Sequence, residues 1–111
     1  MTATGRAVAY GYMRVPRAME DEEIQVIERR MEEYAVSQQL EIMATHYEYG
    51  DGTTNVSDLV YFLRRNNAEH VIVPSMEQIT DHLVIQSIVT TAIVDGIGAT
   101  LHEASEESPS G

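Results

Sequence analysis

Cysteine and lysine are both missing from these 111 residues. Without cysteine there is no disulfide and no thiolate metal ligand. Without lysine there is no amine for a Schiff base and no phosphate-loop lysine, so several enzyme classes drop out. Positive charge is scarce: seven basic residues, all arginine, face 18 acidic ones, for a net charge of -11. Affinity for a phosphate backbone comes largely from Lys and Arg displacing counterions, so direct nucleic-acid binding is not expected. No apolar run approaches the roughly 20 residues of a bilayer span, and Met1 to Arg6 carry no apolar signal region. A soluble, cytoplasmic protein with no membrane attachment is the expectation.

What is present suits one folded domain. Hydrophobic residues make up 43% of the chain, too many for overall disorder. A chain of this length buries about two-thirds of its unfolded surface. Residues 1–6, small and polar, read as a flexible tail, 7–104 as the domain, and 105–111, with two glutamates, proline and glycine, as a disordered acidic end.

Ala7 to Val15 is a near-continuous apolar run with β-branched and aromatic residues, the pattern of a central parallel strand, and Pro16 stops it. From Glu20 the period becomes helical to about Gln38, with Ile24, Ile27, Met31, Tyr34 and Ala35 on one stripe. Glu20, Asp21, Glu22 and Glu23 favour the positive end of its dipole. Glu41 to Tyr47 alternates as a strand near the sheet edge, and Tyr49 to Thr54 reads as a loop. Asn55, with Asp58 three residues on, caps a short helix that turns Leu59, Val60, Phe62 and Leu63 inward. Val71 to Val73 is a short buried strand. A third helix is expected from a cap at Thr80 or Asp81 to Asp95, closed by Gly96, and Ala99 to Ala104 is the last strand.

That third helix is apolar on too many sides. Val84, Ile85, Ile88, Val89, Ala92 and Ile93 cover about half of it, while Leu83 and Val94 lie opposite, beside Ser87 and Thr90. Helices apolar all round are buried ones, so it is covered either by its own fold or by a second subunit. Leu83, Ser87, Thr90 and Val94 are the expected interface of a homodimer. The element order implies a small three-layer α/β domain with a mainly parallel four-stranded sheet in the order 2-1-3-4. Functional loops then fall at the carboxyl ends of the first and third strands.

Tyr10-Gly11-Tyr12-Met13-Arg14-Val15-Pro16-Arg17 resembles the opening of the catalytic domain of serine recombinases, the resolvase and invertase family. There a tyrosine, any residue, arginine, valine and serine follow in order, and the serine attacks a DNA phosphodiester. By element order the resemblance extends from Ala9 to about Glu103, and it implies a resolvase-like fold. Arg14 matches the family's first arginine, but Pro16 takes the place of the serine. Glu48, Gly50 and Gly52 follow the second-strand motif loosely, with no arginine in Asn55 to Leu59. The third-strand motif has aspartate, arginine and leucine, then a further arginine; this chain reads Met76-Glu77-Gln78-Ile79-Thr80-Asp81. Gln78 and Asp81 stand where arginines are expected, and an aspartate there reverses the local sign. The sequence also stops where the family continues into a long helix and a DNA-binding region. The resemblance therefore implies an inactive, degenerate relative.

Other candidate sites are slight. Arg14 and Arg17, with Gly50 and Gly52, could form an anion-binding corner, or Arg14 could pair with a nearby glutamate. His46, Glu48 and Asp51 lack the support of a real metal site, and no metal or cofactor is expected. His70, His82 and His102 read as boundary residues. The expected function is a non-catalytic dimerisation and protein-interaction module with a regulatory role and an unidentified protein partner. Two alternatives stay open: an accessory subunit acting through a DNA-binding relative, and a small phosphate-ligand protein or enzyme of other chemistry.

Overall fold

Ala7–Val15 forms β1, fully buried from Gly11 to Val15 because it runs through the middle of the sheet. The computed structural model describes residues 6–104, so the expected tails, Arg6 apart, lie outside the described residues. The remaining elements are α1 (Asp21–Ser37), β2 (Leu40–Tyr49), α2 (Val56–Arg65), β3 (His70–Val73), α3 (Met76–Ile79), α4 (Leu83–Thr91), a π-helical turn (Ala92–Ile97) and β4 (Thr100–Glu103). All strand pairs are parallel and the order is β2-β1-β3-β4, as expected.

The two faces of the sheet have separate cores. Met13, Val15, Ile72 and Ala104 pack with Met31 and Ala35 of α1 on one side. Tyr12, Val71 and Val73 pack with Leu59 and Leu63 of α2, and with Val89 and Ile93, on the other. Local signals set the helix starts. The Glu20 N–H donates to the Glu23 carboxylate at 2.9 Å ahead of α1, and Asn55 Oδ1 accepts the Asp58 N–H at 3.0 Å at the start of α2.

Three expectations needed correction. The second strand is longer than Glu41 to Tyr47, reaching from the buried Leu40 to Tyr49. A bulge explains the unclear pattern: Ala9 pairs with Ile42 but Tyr10 pairs with Ala44, leaving Met43 as the extra residue. The side-chain alternation reverses there, so Ile42 before the bulge and Tyr47 after it both face α1.

The expected third helix is two. Ser75 Oγ accepts the Gln78 N–H at 3.0 Å and starts the short α3. His82, whose side chain makes no cap bond, precedes α4, while Thr80 Oγ1 accepts the His82 N–H at 3.2 Å. The chain then widens into the π turn, which contains Gly96, and the left-handed cap falls on Gly98 (φ 81°).

Burial of this region also differs from expectation. Ile85, Val89 and Ile93, with Ile97 of the π turn, pack into the core, a ridge formed by every fourth residue. Val84 and Ile88, expected inside, are 72% and 50% exposed, and Leu83 is 77% exposed. One edge of the helix is covered by its own fold, and the Leu83, Val84 and Ile88 side is left exposed.

Candidate functional site at the carboxyl ends of the strands

The carboxyl ends of β1 and β2 lie side by side, with Arg14 in register with Glu48. Arg14 is a charged residue only 7% exposed, and burying it requires partners. It has them. Its Nη1 lies 3.5 Å from Glu48 Oε1 and 3.4 Å from Thr54 Oγ1. Its Nη2 donates to the carbonyl oxygens of Gly50 at 3.1 Å and Gly52 at 2.5 Å. Gly50 adopts a left-handed φ of 98°, which lets its N–H donate to the Val15 carbonyl at 2.9 Å while its own carbonyl turns to Arg14.

Glu48 is the hub of this network. Besides Arg14 it accepts the Tyr12 hydroxyl at 2.5 Å and the backbone N–H of Asn55, which opens α2. Burial, and then the hydrogen bond to Glu48, push the Tyr12 phenol well above its ordinary pKa. His46, on the same strand face, lies between Tyr12 and Phe62 in tilted ring contacts, with centroids 5.6 and 5.2 Å away. Among the described residues no group of three or more His, Asp or Glu is placed to hold a metal.

Beyond β1, the Pro16 carbonyl accepts the Met19 N–H at 3.0 Å and closes a turn. Arg17 is exposed, and its backbone N–H donates to Asp51 Oδ1 at 3.0 Å. Across from this turn, Gln78 holds the backbone of Arg14 through both ends of its amide. An open cavity of about 380 Å³ lies between the Asp51–Thr54 loop and the start of α4. Its wall includes Arg14, Thr54, Ile79 and Ile85, with Asp51 and Asp81 as carboxylates.

This scaffold is similar to a serine recombinase catalytic domain. The chain superposes on the C-terminal catalytic domain of ISC1926 TnpA, an IS607-like serine recombinase, with a TM-score of 0.66 and 15% identity, over 92% of this chain and 70% of that one. No family model and no curated protein matches the sequence. The likeness establishes the fold; it assigns no role to any side chain.

Gly50 and Gly52 meet Arg14 through their carbonyl oxygens, whereas the exposed Arg17 is tied to the same loop by its backbone N–H on Asp51. Two glycine carbonyls point at the guanidinium, so in this conformation the loop presents acceptors to Arg14. Glu77 and Asp81 are exposed, and Gln78 is half-buried. Leu83, Ser87 and Thr90 line a second, open cavity of about 630 Å³ beside Met76 and Glu103, and Val94 is 42% exposed one turn on. Sequence reasoning missed the roles of Tyr12, Glu48 and Thr54. The available signal was that Tyr12 and Arg14 share a strand face, but Glu48 was placed just past the end of the second strand.

Proposed function

We propose that this chain is a non-catalytic resolvase-like domain that works by pairing with a second copy of itself and presenting that assembly to protein partners. The observation that carries the reading is Arg14. Its guanidinium is held by Glu48, Thr54 and two glycine carbonyls, leaving it committed to the fold and not to a phosphodiester oxygen. Pro16 offers no hydroxyl at the end of β1, and transfer through a serine ester needs both nucleophile and cations.

The pairing half of the reading rests on α4. Leu83, Val84 and Ile88 form an exposed uncharged strip together with Ser87 and Thr91. Two copies with a net charge of -11 each repel over an acidic surface, and this strip lets them approach without opposing like charges. Full burial of each large side chain contributes about 1.5–3 kcal/mol. Sedimentation velocity over a concentration series tests this. A dimer is expected for the natural chain, and a monomer with unchanged circular dichroism for the double variant Leu83→Glu, Ile88→Glu. A natural chain that stays monomeric at high concentration would remove the pairing reading.

A further inference from the structure

The four histidines occupy different settings. His46 lies between two aromatic rings and His82 is exposed ahead of α4. His70 and His102 meet. The parallel register places His70 opposite Thr100 and His102 opposite Ile72, which brings both imidazoles to the α1 side of the sheet. Nδ1 of His70 is 3.2 Å from Nε2 of His102, with ring centroids 5.3 Å apart. The Tyr34 hydroxyl, on α1, lies 3.0 Å from the other nitrogen of His102, Nδ1. Both histidines are half-buried, so solvent reaches them.

Two nitrogens bound at about 2.0–2.1 Å to one tetrahedral zinc lie roughly 3.3 Å apart. The His70–His102 spacing matches that bite. Metal-binding histidines usually donate their second ring N–H to an oxygen that fixes tautomer and orientation, the position Tyr34 holds against His102. With Tyr34 accepting from Nδ1, the His102 lone pair is on Nε2, facing His70. In the absence of metal the two ring nitrogens are within hydrogen-bond distance of each other. Where His70 donates Nδ1–H to His102, metal binding requires that proton to pass to Nε2 of His70 or to solvent.

We propose that His70 and His102 form an open two-imidazole site for a borderline divalent transition-metal ion such as Zn²⁺, with Tyr34 orienting His102 and water completing the coordination. No third protein carboxylate or histidine joins them among the described residues, so the site is open and weaker than a closed four-ligand one. The strongly acidic chain raises the local concentration of dications. Mg²⁺ and Ca²⁺ are excluded because they take oxygen ligands.

The test uses the full chain, free of any affinity tag and stripped with chelator, titrated with Zn²⁺ by calorimetry and by imidazole NMR. One ion per chain is expected, with the His70 and His102 ring signals shifting and those of His46 and His82 unmoved. His70→Ala abolishes binding, His82→Ala leaves it unchanged, and Tyr34→Phe weakens it about tenfold. Unchanged affinity in Tyr34→Phe would overturn the orienting role. Binding that survives His70→Ala, or a natural chain whose His70 and His102 signals ignore Zn²⁺, would overturn the site itself. The NMR reading needs no variant, so it stands even if a substitution impairs folding.

Discussion

Gln78 grips the backbone of Arg14 at both its polar groups: Nε2 donates to the Arg14 carbonyl at 2.6 Å, and Oε1 accepts the Arg14 N–H at 3.0 Å. The side chain does here what a neighbouring strand would do. Pairing of β1 with β3 covers only Tyr10 with Val71 and Gly11 with Ile72, and β3 ends at Val73. Without Gln78 the buried end of β1 would have an orphan donor and an orphan acceptor on that side. The amide therefore extends the sheet by one residue and ties α3 to it.

This arrangement separates two substitutions at the same position. Gln78→Ala removes both bonds and is expected to cost about 1–3 kcal/mol, because buried backbone groups lose their partners. Gln78→Glu preserves the shape but has no donor at neutral pH, and sets a carboxylate oxygen against the Arg14 carbonyl. It should be at least as destabilising as alanine and recover partly in acid, as the carboxyl gains a proton it can donate. Urea unfolding of both variants at pH 4.5 and pH 7 measures this, and a Glu variant as stable as the natural chain at pH 7 would refute it.

The core and the sheet order were legible because they rest on period and connection length. Met31, Ala35, Leu59 and Leu63 lie on clear helical stripes, and helical crossovers impose parallel strands. The site was legible as Arg14 with Gly50 and Gly52 or with a glutamate, but not as the network that joins them. The partners of Arg14 come from Glu48, Thr54 and two backbone carbonyls beyond β2, and no periodicity encodes which way a carbonyl points. Gln78 was visible as a departure from a family pattern, not as a partner of Arg14, since the two are 64 residues apart in sequence. The exposure of Val84 and Ile88 was hidden for another reason. A hydrophobic count gives how apolar a helix is, but which side meets the core depends on how much of it its neighbours reach.

Glu48 and Tyr12 should report on each other at high pH. The Tyr12 phenol is raised by burial and by Glu48, and the Tyr47 phenol is raised to about 12 by burial and by its hydrogen bond to Glu28. A folded pKa above the unfolded value near 10 means the folded chain holds the proton longer. These two groups add stability that is complete below about pH 10 and lost as pH climbs toward 12. Absorbance titration of phenolate should show the Tyr12 and Tyr47 contributions, each assigned by difference from its Phe variant, arriving above pH 10. Glu28→Gln should move one late transition earlier. If the Tyr12 and Tyr47 contributions are complete by pH 10 while circular dichroism shows the chain still folded, the assignment fails.

Gly11 is required by contact, not by backbone angle. A Cβ there would lie 2.6 Å from Thr45 Oγ1 and 3.0 Å from the Met31 methyl. Alanine suits a strand better than glycine, worth about 0.5–1 kcal/mol. Overpacking opposes it, typically by 1–3 kcal/mol, and dominates because the nearest atom belongs to a stiff, β-branched side chain on the adjacent strand. Gly11→Ala should therefore lower stability by about 1–2 kcal/mol. Pairing it with Thr45→Ser, which removes one of the crowding atoms and frees the hydroxyl to rotate, should recover part of the loss. A Gly11→Ala variant more stable than the natural chain in urea would contradict the packing account.

Restoring a hydroxyl at position 16 isolates what the rest of the site lacks. In Pro16→Ser the new side chain would stand at the end of β1, near Arg14 and the Arg17–Asp51 contact. To act on a phosphodiester it would need cations on the developing charge, and a missing electrostatic contact of this kind commonly costs 10²–10³ in rate. Arg14 is bound to Glu48, Gly50 and Gly52, and Gln78 has its amide on the Arg14 backbone. The cavity wall contributes Asp51 and Asp81, whose charge opposes an incoming phosphate. The expectation is no nicking of supercoiled plasmid and no covalent protein–DNA product from either the natural chain or Pro16→Ser. Adding Gln78→Arg and Asp81→Arg is expected to raise affinity for short duplex DNA while lowering fold stability, because the amide clamp on Arg14 is lost. Nicking by the single variant Pro16→Ser would show that Arg14 leaves its partners readily, and the non-catalytic reading would fall.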